Sequence, residues 1–598
     1  MDKTSDVIKY LRSHPGSSST EIEEGLGRYV SKATIKRYLA EAKSAGEITS
    51  RGKGRATTYY YSRPGWRRYP DGIQTFEKII SEGYVYVDKT DLVYKIANET
   101  SGYVFLSRPR RFGKSLLIST LKAYFEARKE LFEGLSIASL EKDWEWHPVV
   151  RLDLSTAANI QDKDQLYLKL SNILSENEAS LGLEPVDTLP GDRLDLLVRR
   201  AYQKYGKKVV ILVDEYDAPI LDTLFDEVKA REIKPVIKDL FSPLKKLDPY
   251  LRFTFITGIT KFSQMSIFST LNNLDDVSLD DGYAAICGFT DEDLAISFPA
   301  EMEILAAKKG VSAEIVAESM KQKYDGYHFS PACIDIYNPF SILKAFSKLK
   351  LANYWFESGT PTVLIDTLKH FSTDIYDLDG AEVTASAFSQ PTETAASAVP
   401  IFYQSGYLTI KSYDPDLDTY VLSIPNAEVR SGLMDNLVPI LLNRSPIESQ
   451  NLAIRFKKAL LKEDIGAAMD ILKAFFASIP YPEFGKETLD SVEKKEAYFK
   501  RLFYIVFSFM NIQIYTEVMN SCGRTDALMF LGDTVYVIEA KLDAHSARIA
   551  LEQIDNLGYA DRFVGSGRRI VRLGLNFSSS TRTLADWCVD CCDSSSSR

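Results

Sequence analysis

A chain of 598 residues is too long for one hydrophobic core, and three to five domains are expected. Its formal net charge of −10 excludes a surface coated throughout with nucleic-acid-binding charge, so any such surface has to be local. No apolar run approaches the ~18 residues that span a bilayer, the start of the chain is polar with no signal-peptide core, and the cysteines are too sparse for a disulfide framework. A cytoplasmic protein is expected.

In chain order, residues 1–62 read as a small separate module. Val7, Ile8 and Leu11 make one helical stripe, and Ser19-Thr20 followed by Glu23 has the pattern of a capping box opening a second helix. Ser31 caps a third over 32–45, with Ile35, Tyr38, Leu39 and Ala42 as its apolar face, and Gly46 ends it. Strands at 47–50 and 57–61 flank a basic turn, Arg51-Gly52-Lys53-Gly54-Arg55. Three helices and a β-wing resemble a winged helix-turn-helix. Arg28, Lys32, Lys36, Arg37, Lys43, Arg51, Lys53 and Arg55 outnumber Glu41 and Glu47, the electrostatic footprint of DNA binding; a protein-binding module with a solvated basic face is the alternative.

After a linker with Pro64, Gly65 and Pro70, apolar strand-like runs alternate with amphipathic helical stretches, as in an α/β domain with a parallel sheet. This core is expected over 66–280, with strands at 103–107, 149–154, 209–213 and 253–257. A helical lid follows over 281–375. Strand character returns in a winged-helix-like segment, 376–435, around an Asp-Pro-Asp turn. A helical connector is expected over 436–480, an α/β module over 481–580 and a tail over 581–598. Cys588, Cys591 and Cys592 lie in that tail, where no second ligand pair stands at zinc spacing.

Arg108-Pro109-Arg110-Arg111-Phe112-Gly113-Lys114-Ser115 lies between a buried strand and a helix with Leu117, Leu121 and Phe125 on one face. In such a loop, backbone N–H groups and the helix N-terminus hold an anion, Lys114 reaches the β- and γ-phosphates, and Ser115 ligates Mg²⁺. The strand 209–213 runs into Asp214-Glu215, a Walker B pattern in which Asp214 holds the metal and Glu215 polarises the attacking water. Thr257 or Thr260, at the end of a third strand, is the candidate sensor of the γ-phosphate. These residues point to ATP with Mg²⁺. The one departure is Arg108, which stands where the first glycine of G-x-x-x-x-G-K-[ST] belongs, so the loop is not expected to turn in the usual way.

This region resembles the AAA-ATPase-like proteins of bacteria, archaea and their mobile elements. The resemblance rests on Tyr84-Val85-Tyr86-Val87-Asp88-Lys89-Thr90, on the loop just quoted, on Asp214-Glu215-Tyr216-Asp217, on Tyr324-Asp325-Gly326-Tyr327 and on Tyr337-Asn338-Pro339-Phe340-Ser341. It covers about residues 66–350, and the Arg-Pro-Arg-Arg-Phe form of the loop is itself a family signature. The resemblance implies ATP binding and extends the nucleotide contacts to Arg108, Arg110, Arg111, Phe112 and Gly113.

Nearer the end, strands are expected at 512–518, 527–531 and 534–541. In the last, Val535, Val537, Glu539 and Lys541 alternate with Tyr536, Ile538 and Ala540. Asp526, Glu539 and Lys541 are then offered together. Cleaving a phosphodiester needs a divalent metal to activate water, for which Asp526 and Glu539 are ligands, while Lys541 orients the water or stabilises the transition state. The segment resembles the PD-(D/E)XK nuclease superfamily through Gly523-Arg524-Thr525-Asp526, Ile538-Glu539-Ala540-Lys541 and Ala550-Leu551-Glu552-Gln553-Ile554, over about 480–580. Gln553 is an added candidate, Glu517 a supporting acid, and Tyr559 and His545 are not assigned to the site.

The expected architecture is therefore an α/β multidomain chain. It has a small N-terminal winged helix, a P-loop NTPase core with a parallel sheet, a helical and winged lid, and a C-terminal restriction-endonuclease-like α/β domain. The expected function is ATP-dependent DNA processing by a Mg²⁺-dependent nuclease. RNA is the other substrate class considered, and a homo-oligomer is open. The rival is an ATP-switched DNA- or protein-binding regulator with an inactive nuclease fold.

Overall fold

The structure is a computed structural model. It describes residues 16–27, 30–44, 48–51, 57–61, 67–261, 274–358, 362–477 and 513–592, less short gaps at 159, 222, 372, 374, 393–394, 442–444, 521–522, 565–566 and 582, together with Val7, Tyr10, Leu11, His14 and Phe507. The chain divides into two units, one of residues 1–355 and 380–426, the other of 356–379 and 427–598. Among the described residues no helix is long and apolar enough to cross a membrane.

The first elements enclose a small core of their own. Strand β1 (Ser17–Ser18) precedes helices Ser19–Gly25 and Lys32–Ser44, then β2 (Ile48–Arg51) and β3 (Thr58–Tyr61). The three strands form an antiparallel sheet in the order β1-β3-β2. Val7, Leu11, Ile22, Ile35, Leu39, Ala42 and Ile48 are buried together, leaving Lys32, Lys36, Arg37 and Lys43 exposed on the outer face of the second helix. The capping box falls one residue before the expected Ser19. Ser18 is the N-cap and Glu21 closes the box, because Ser18 is the last extended residue before the helix. Residues 52–56 of the basic turn lie outside the described residues.

The large sheet follows from four apolar runs, β4 (Tyr103–Ser107), β5 (Val149–Asp153), β6 (Val209–Asp214) and β7 (Leu251–Gly258), joined by a short exposed edge strand, β8 (Asp275–Asp276). All pair in parallel, in the order β5-β6-β7-β4-β8. Every residue of β6 is buried, as expected of a strand covered on both faces by helices. Leu166, Leu170, Leu194, Leu197, Ile233 and Ile237 supply the cover for β5, β6 and β7. Each such aliphatic side chain contributes about 1.5–3 kcal/mol. The sheet order inserts β7 between β4 and β6, so three strand ends line up along one rim.

Helices then predominate, as the sequence predicts. Asp291–Ser297, Pro299–Lys309, Ala313–Tyr324 and Pro339–Lys348 share a core of Leu294, Phe298, Leu305, Val316, Met320 and Phe346. Next come β9 (Glu382–Thr384), two short helices, β10 (Thr409–Asp414) and β11 (Thr419–Ser423), an antiparallel sheet ordered β10-β11-β9.

The second unit carries helices Ala427–Leu441, Pro446–Leu461 and Ile465–Ala477, so the helical stretch begins nine residues before the expected 436. Its sheet runs β12 (Gln513–Asn520), β13 (Gly523–Leu531), β14 (Thr534–Leu542), β15 (Arg569–Ser578) and β16 (Thr583–Cys592), in sequence order. Only β14 and β15 are parallel, and the helix Arg548–Asn556 connects them. The expected tail at 581–598 is corrected: residues 583–592 form edge strand β16, paired antiparallel with β15 from Ser578↔Thr583 to Ile570↔Cys592. Alternation of Leu584, Asp586, Cys588 and Asp590 with Trp587 and Val589 is weak, which hides this strand in the sequence.

Gly574 of β15 lies under the connecting helix. A Cβ there would meet the Ala547 carbonyl oxygen at 2.5 Å and the Leu551 nitrogen at 2.9 Å, both backbone atoms. Gly574→Ala is expected to destabilise this unit by about 1–3 kcal/mol through forced separation of helix and strand, measured by denaturant unfolding followed through Trp587 fluorescence.

Candidate functional site

The loop 108–113 joins the C-terminal end of β4 to helix Lys114–Phe125, whose N-cap, Gly113, lies in the left-handed region at φ 97°. A glycine takes that conformation without steric cost and leaves the helix N-terminus open to an anion. The side chains before it are anchors. Arg108 is only 2 % exposed, and its guanidinium donates to the carbonyls of Ser107 (2.9 Å), Ser278 (2.8 Å) and Tyr283 (3.1 Å). It also lies 4.4 Å from the centre of the Phe329 ring. Phe112 packs edge-on against Tyr327 and Phe329, with centroids 4.8 and 5.2 Å away. Arg111, at φ 69°, donates to the Tyr354 carbonyl (3.0 Å) and lies over Phe340 at 3.8 Å.

Arg108, Arg111 and Phe112 are expected to meet nucleotide, and the structure turns their side chains away from the loop's open face. Their polar or aromatic ends face inward, and what they offer a ligand is backbone. Arg110 is the exposed side chain of the set, and its charge acts on Glu215.

Lys114 is buried and donates to the carbonyls of Arg108 (2.9 Å) and Pro109 (3.0 Å), so it folds over the loop it belongs to. Burial lowers its pKa, while Asp217, Glu215 and Asp214 act in the opposite direction. Asp214, the last residue of β6, is also buried, and burial raises its pKa against a hydrogen bond with Ser115. Among the described residues its Oδ1 has no hydrogen-bond partner. A buried carboxylate oxygen left bare beside a serine hydroxyl and a lysine fits a divalent cation and its phosphate. Glu215 follows at φ 48°, its carboxyl raised mainly by burial.

The candidate sensors, Thr257 and Thr260, are both engaged within the fold. The Thr257 hydroxyl donates across the sheet to the Leu106 carbonyl at 2.7 Å, so it ties β7 to β4. The Thr260 amide and hydroxyl both donate to Asp217 Oδ2 at 2.7 Å, and the Ile259 amide joins them at 2.9 Å. Asp217 thus fixes the end of β7 against the end of β6. Sequence reasoning passed over its role, although the third acid of Asp214-Glu215-Tyr216-Asp217 was the signal for it. Arg151 of β5, also missed, stands 3.9 Å from Asp214 and 3.1 Å from Asp153.

In the second unit, β13 and β14 bring the expected trio together. Ala527 pairs with Ile538, and one step further along the ladder Asp526 meets Glu539. The Ala540 amide donates to Asp526 Oδ2 (2.9 Å), the Asp526 amide to Glu539 Oε2 (3.4 Å), and Lys541 Nζ to Glu539 Oε1 (3.1 Å). Glu539 is 2 % exposed, and its pKa is raised by burial first and by Asp526 second, with Lys541 opposing. A buried carboxyl raised by the acid beside it, at the end of a buried face, fits a divalent metal.

Val535 and Val537 precede Glu539 on that face and pack with Ile554, so helix Arg548–Asn556 covers the same side as the trio. Gln553 is half-buried on this helix, and among the described residues no hydrogen bond joins it to the three. Tyr559 is a core residue, His545 is exposed, and the side chain of Glu517 lies outside the described residues.

Two predictions follow from these geometries. Arg108→Gly restores the usual loop glycine but removes the anchor to Ser278 and Tyr283, so it is expected to lower both the melting temperature and nucleotide affinity, measured by thermal unfolding and fluorescent-nucleotide titration. A carboxyl with a raised folded pKa costs stability as pH rises through and above the ordinary carboxylate range. Glu539→Gln is therefore expected to raise the melting temperature of metal-free protein by a few degrees at about pH 7 and to have little effect near about pH 3, where the carboxyl is protonated in both states.

Comparisons with known proteins agree with this division. Residues 70–268 match the family described as predicted AAA-ATPase, and residues 494–587 match the PD-(D/E)XK nuclease superfamily. A protein of Azotobacter chroococcum mcd 1, described as an uncharacterized protein in the vnfD 5′ region, is 34 % identical over 534 residues, spanning 88 % of this chain and 99 % of its own length. With a glycine–lysine–serine loop at one sheet rim and an acid–acid–lysine trio at another, the chain belongs to the AAA-ATPase-like family and carries a C-terminal module of the PD-(D/E)XK nuclease superfamily.

Proposed function

We propose that this protein is an ATP-controlled, Mg²⁺-dependent nuclease that acts on DNA. The observation that carries the reading is the juxtaposition of Asp526, Glu539 and Lys541 on adjacent strands of a chain that also holds a phosphate loop. At the nucleotide, the backbone of 108–113 and the N-terminus of helix Lys114–Phe125 receive the phosphates. Lys114 would exchange its carbonyl partners for phosphate oxygens, and Ser115 with Asp214 would hold the cation. Glu215 orients water, and Arg110 adds positive charge at the rim.

At the second site, Asp526 and Glu539 would hold a divalent metal, which supplies Lewis acidity and an activated water. Lys541, held beside Glu539, positions that water and offsets charge developing on the phosphate. The exposed lysines and arginine of helix Lys32–Ser44 support duplex DNA as the partner through phosphate contacts.

The experiment incubates the full chain with linear DNA, circular DNA or RNA and Mg²⁺, with and without ATP, alongside Glu539→Ala and Lys114→Ala. Expected are DNA cutting abolished by Glu539→Ala and ATP turnover abolished by Lys114→Ala. Cutting that persists in Glu539→Ala, or none under any condition, overturns the nuclease and leaves the regulator reading. Turnover that survives Lys114→Ala overturns the ATPase.

A further inference from the structure

Two of the sequence motifs, Tyr324-Asp325-Gly326-Tyr327 and Tyr337-Asn338-Pro339, supply no candidate ligand to either site above, yet they help to build a third polar focus. Asp291 opens helix Asp291–Ser297, Asp325 ends helix Ala313–Tyr324, and Asp335 lies in the loop before Tyr337. One carboxylate oxygen from each lies within 4.8 Å of the other two.

Asp325 is the inner member, 2 % exposed, and neither of its oxygens has a hydrogen-bond partner of normal geometry. Buried carboxylate oxygens are nearly always satisfied, and two bare ones on the inner member of a three-carboxylate focus suit a cation. The outer two carboxylates are held in place from behind. Tyr337 donates its hydroxyl to Asp291 Oδ1 (2.6 Å), and His328 Nε2 lies 2.7 Å from Asp335 Oδ1. Groups of this kind orient the carboxylates of a metal site.

Lys321 Nζ marks the focus. It lies 2.9 Å from Asp291, 2.9 Å from Asp335 and 3.6 Å from Asp325. One ammonium faces three carboxylates, and its side chain is 42 % exposed, so it can swing into solvent. The donors are all carboxylate oxygens. No thiolate belongs to the cluster, and the imidazole nitrogen facing it is engaged with Asp335. Such a set selects hard cations over zinc.

We propose that Asp291, Asp325 and Asp335 bind a divalent hard cation, Mg²⁺ or Ca²⁺, in exchange for the Lys321 ammonium. The bound ion draws together helix Asp291–Ser297, the Asp325-Gly326 turn and the Asp335 loop. Tyr327, two residues from Asp325, packs against Phe112, so the ion braces the aromatic seat of the phosphate loop.

The test titrates nucleotide-free, full-length Glu539→Gln protein with Mg²⁺ and, separately, with Ca²⁺ by isothermal calorimetry. Further variants on that background are Asp335→Asn, Tyr337→Phe and Lys321→Met. One ion per chain is expected, lost in Asp335→Asn, weakened about tenfold in Tyr337→Phe and tightened in Lys321→Met. The same ion is expected to raise the melting temperature of the parent but not of Asp335→Asn. The arm with the higher affinity identifies the ion. Identical binding in parent and Asp335→Asn, or no ion bound even in Lys321→Met, overturns the proposal and leaves Lys321 as the permanent counter-ion.

Discussion

The nucleotide loop depends on one buried guanidinium. Arg108 occupies the position where a loop of this kind ordinarily has a glycine, and three backbone carbonyls accept its hydrogen bonds. A buried arginine with carbonyl partners is far less costly than a bare one, and removing any of those carbonyls from reach would leave charge in the interior. The loop is therefore held by contacts from 278 to 283 as well as by the two elements it connects. Phe112 and Arg111 extend the same logic to Tyr327, Phe340 and Tyr354. Where a glycine-rich loop relies on backbone freedom, this one relies on side-chain anchors.

That constraint organises the chemistry around it. With the loop pinned, Lys114 is directed back across it, and Ser115 is set against Asp214. Asp217 performs the matching task on the facing strands by joining β6 to the end of β7 through three hydrogen bonds. The acids differ in their ties. Asp217 accepts three hydrogen bonds on Oδ2 and holds the strand ends together, whereas Asp214 meets Ser115 and Arg151 at the mouth of the loop. In the second unit the division recurs on a smaller scale. Val535 and Val537 bury one face of β14, and Glu539 and Lys541 extend that face past the hydrophobic cover.

Much of this was legible in the sequence where the signal is local. The continuous apolar run 209–213 announces a doubly covered strand, and the alternation of Val535, Val537, Glu539 and Lys541 assigns a face to each residue of β14. Gly113-Lys114-Ser115 and Asp214-Glu215 stand where strand ends require them. What escaped was set at long range. Nothing near Arg108 in the chain says that Ser278 and Tyr283 accept its hydrogen bonds. Thr257 ends a strand, as a sensor would, but its hydroxyl meets Leu106 on the neighbouring strand, a partner that only the sheet order supplies. Strand β16 escaped because an edge strand needs only one well-covered face, and Cys588 to Cys592 carries no clear alternation.

The sheet order carries a further consequence, for biosynthesis. Strand β4 pairs on one side with β7 and on the other with β8, both encoded far downstream of it. A ribosome emitting this chain releases the apolar β4 and its arginine-rich loop long before Leu251–Gly258 exists to receive them. Until then β4 has two open edges, and Arg108 lacks the carbonyls of Ser278 and Tyr283. The nucleotide loop is thus among the first parts of the α/β core to be made and among the last to be completed, an interval in which the nascent chain depends on shielding from other chains.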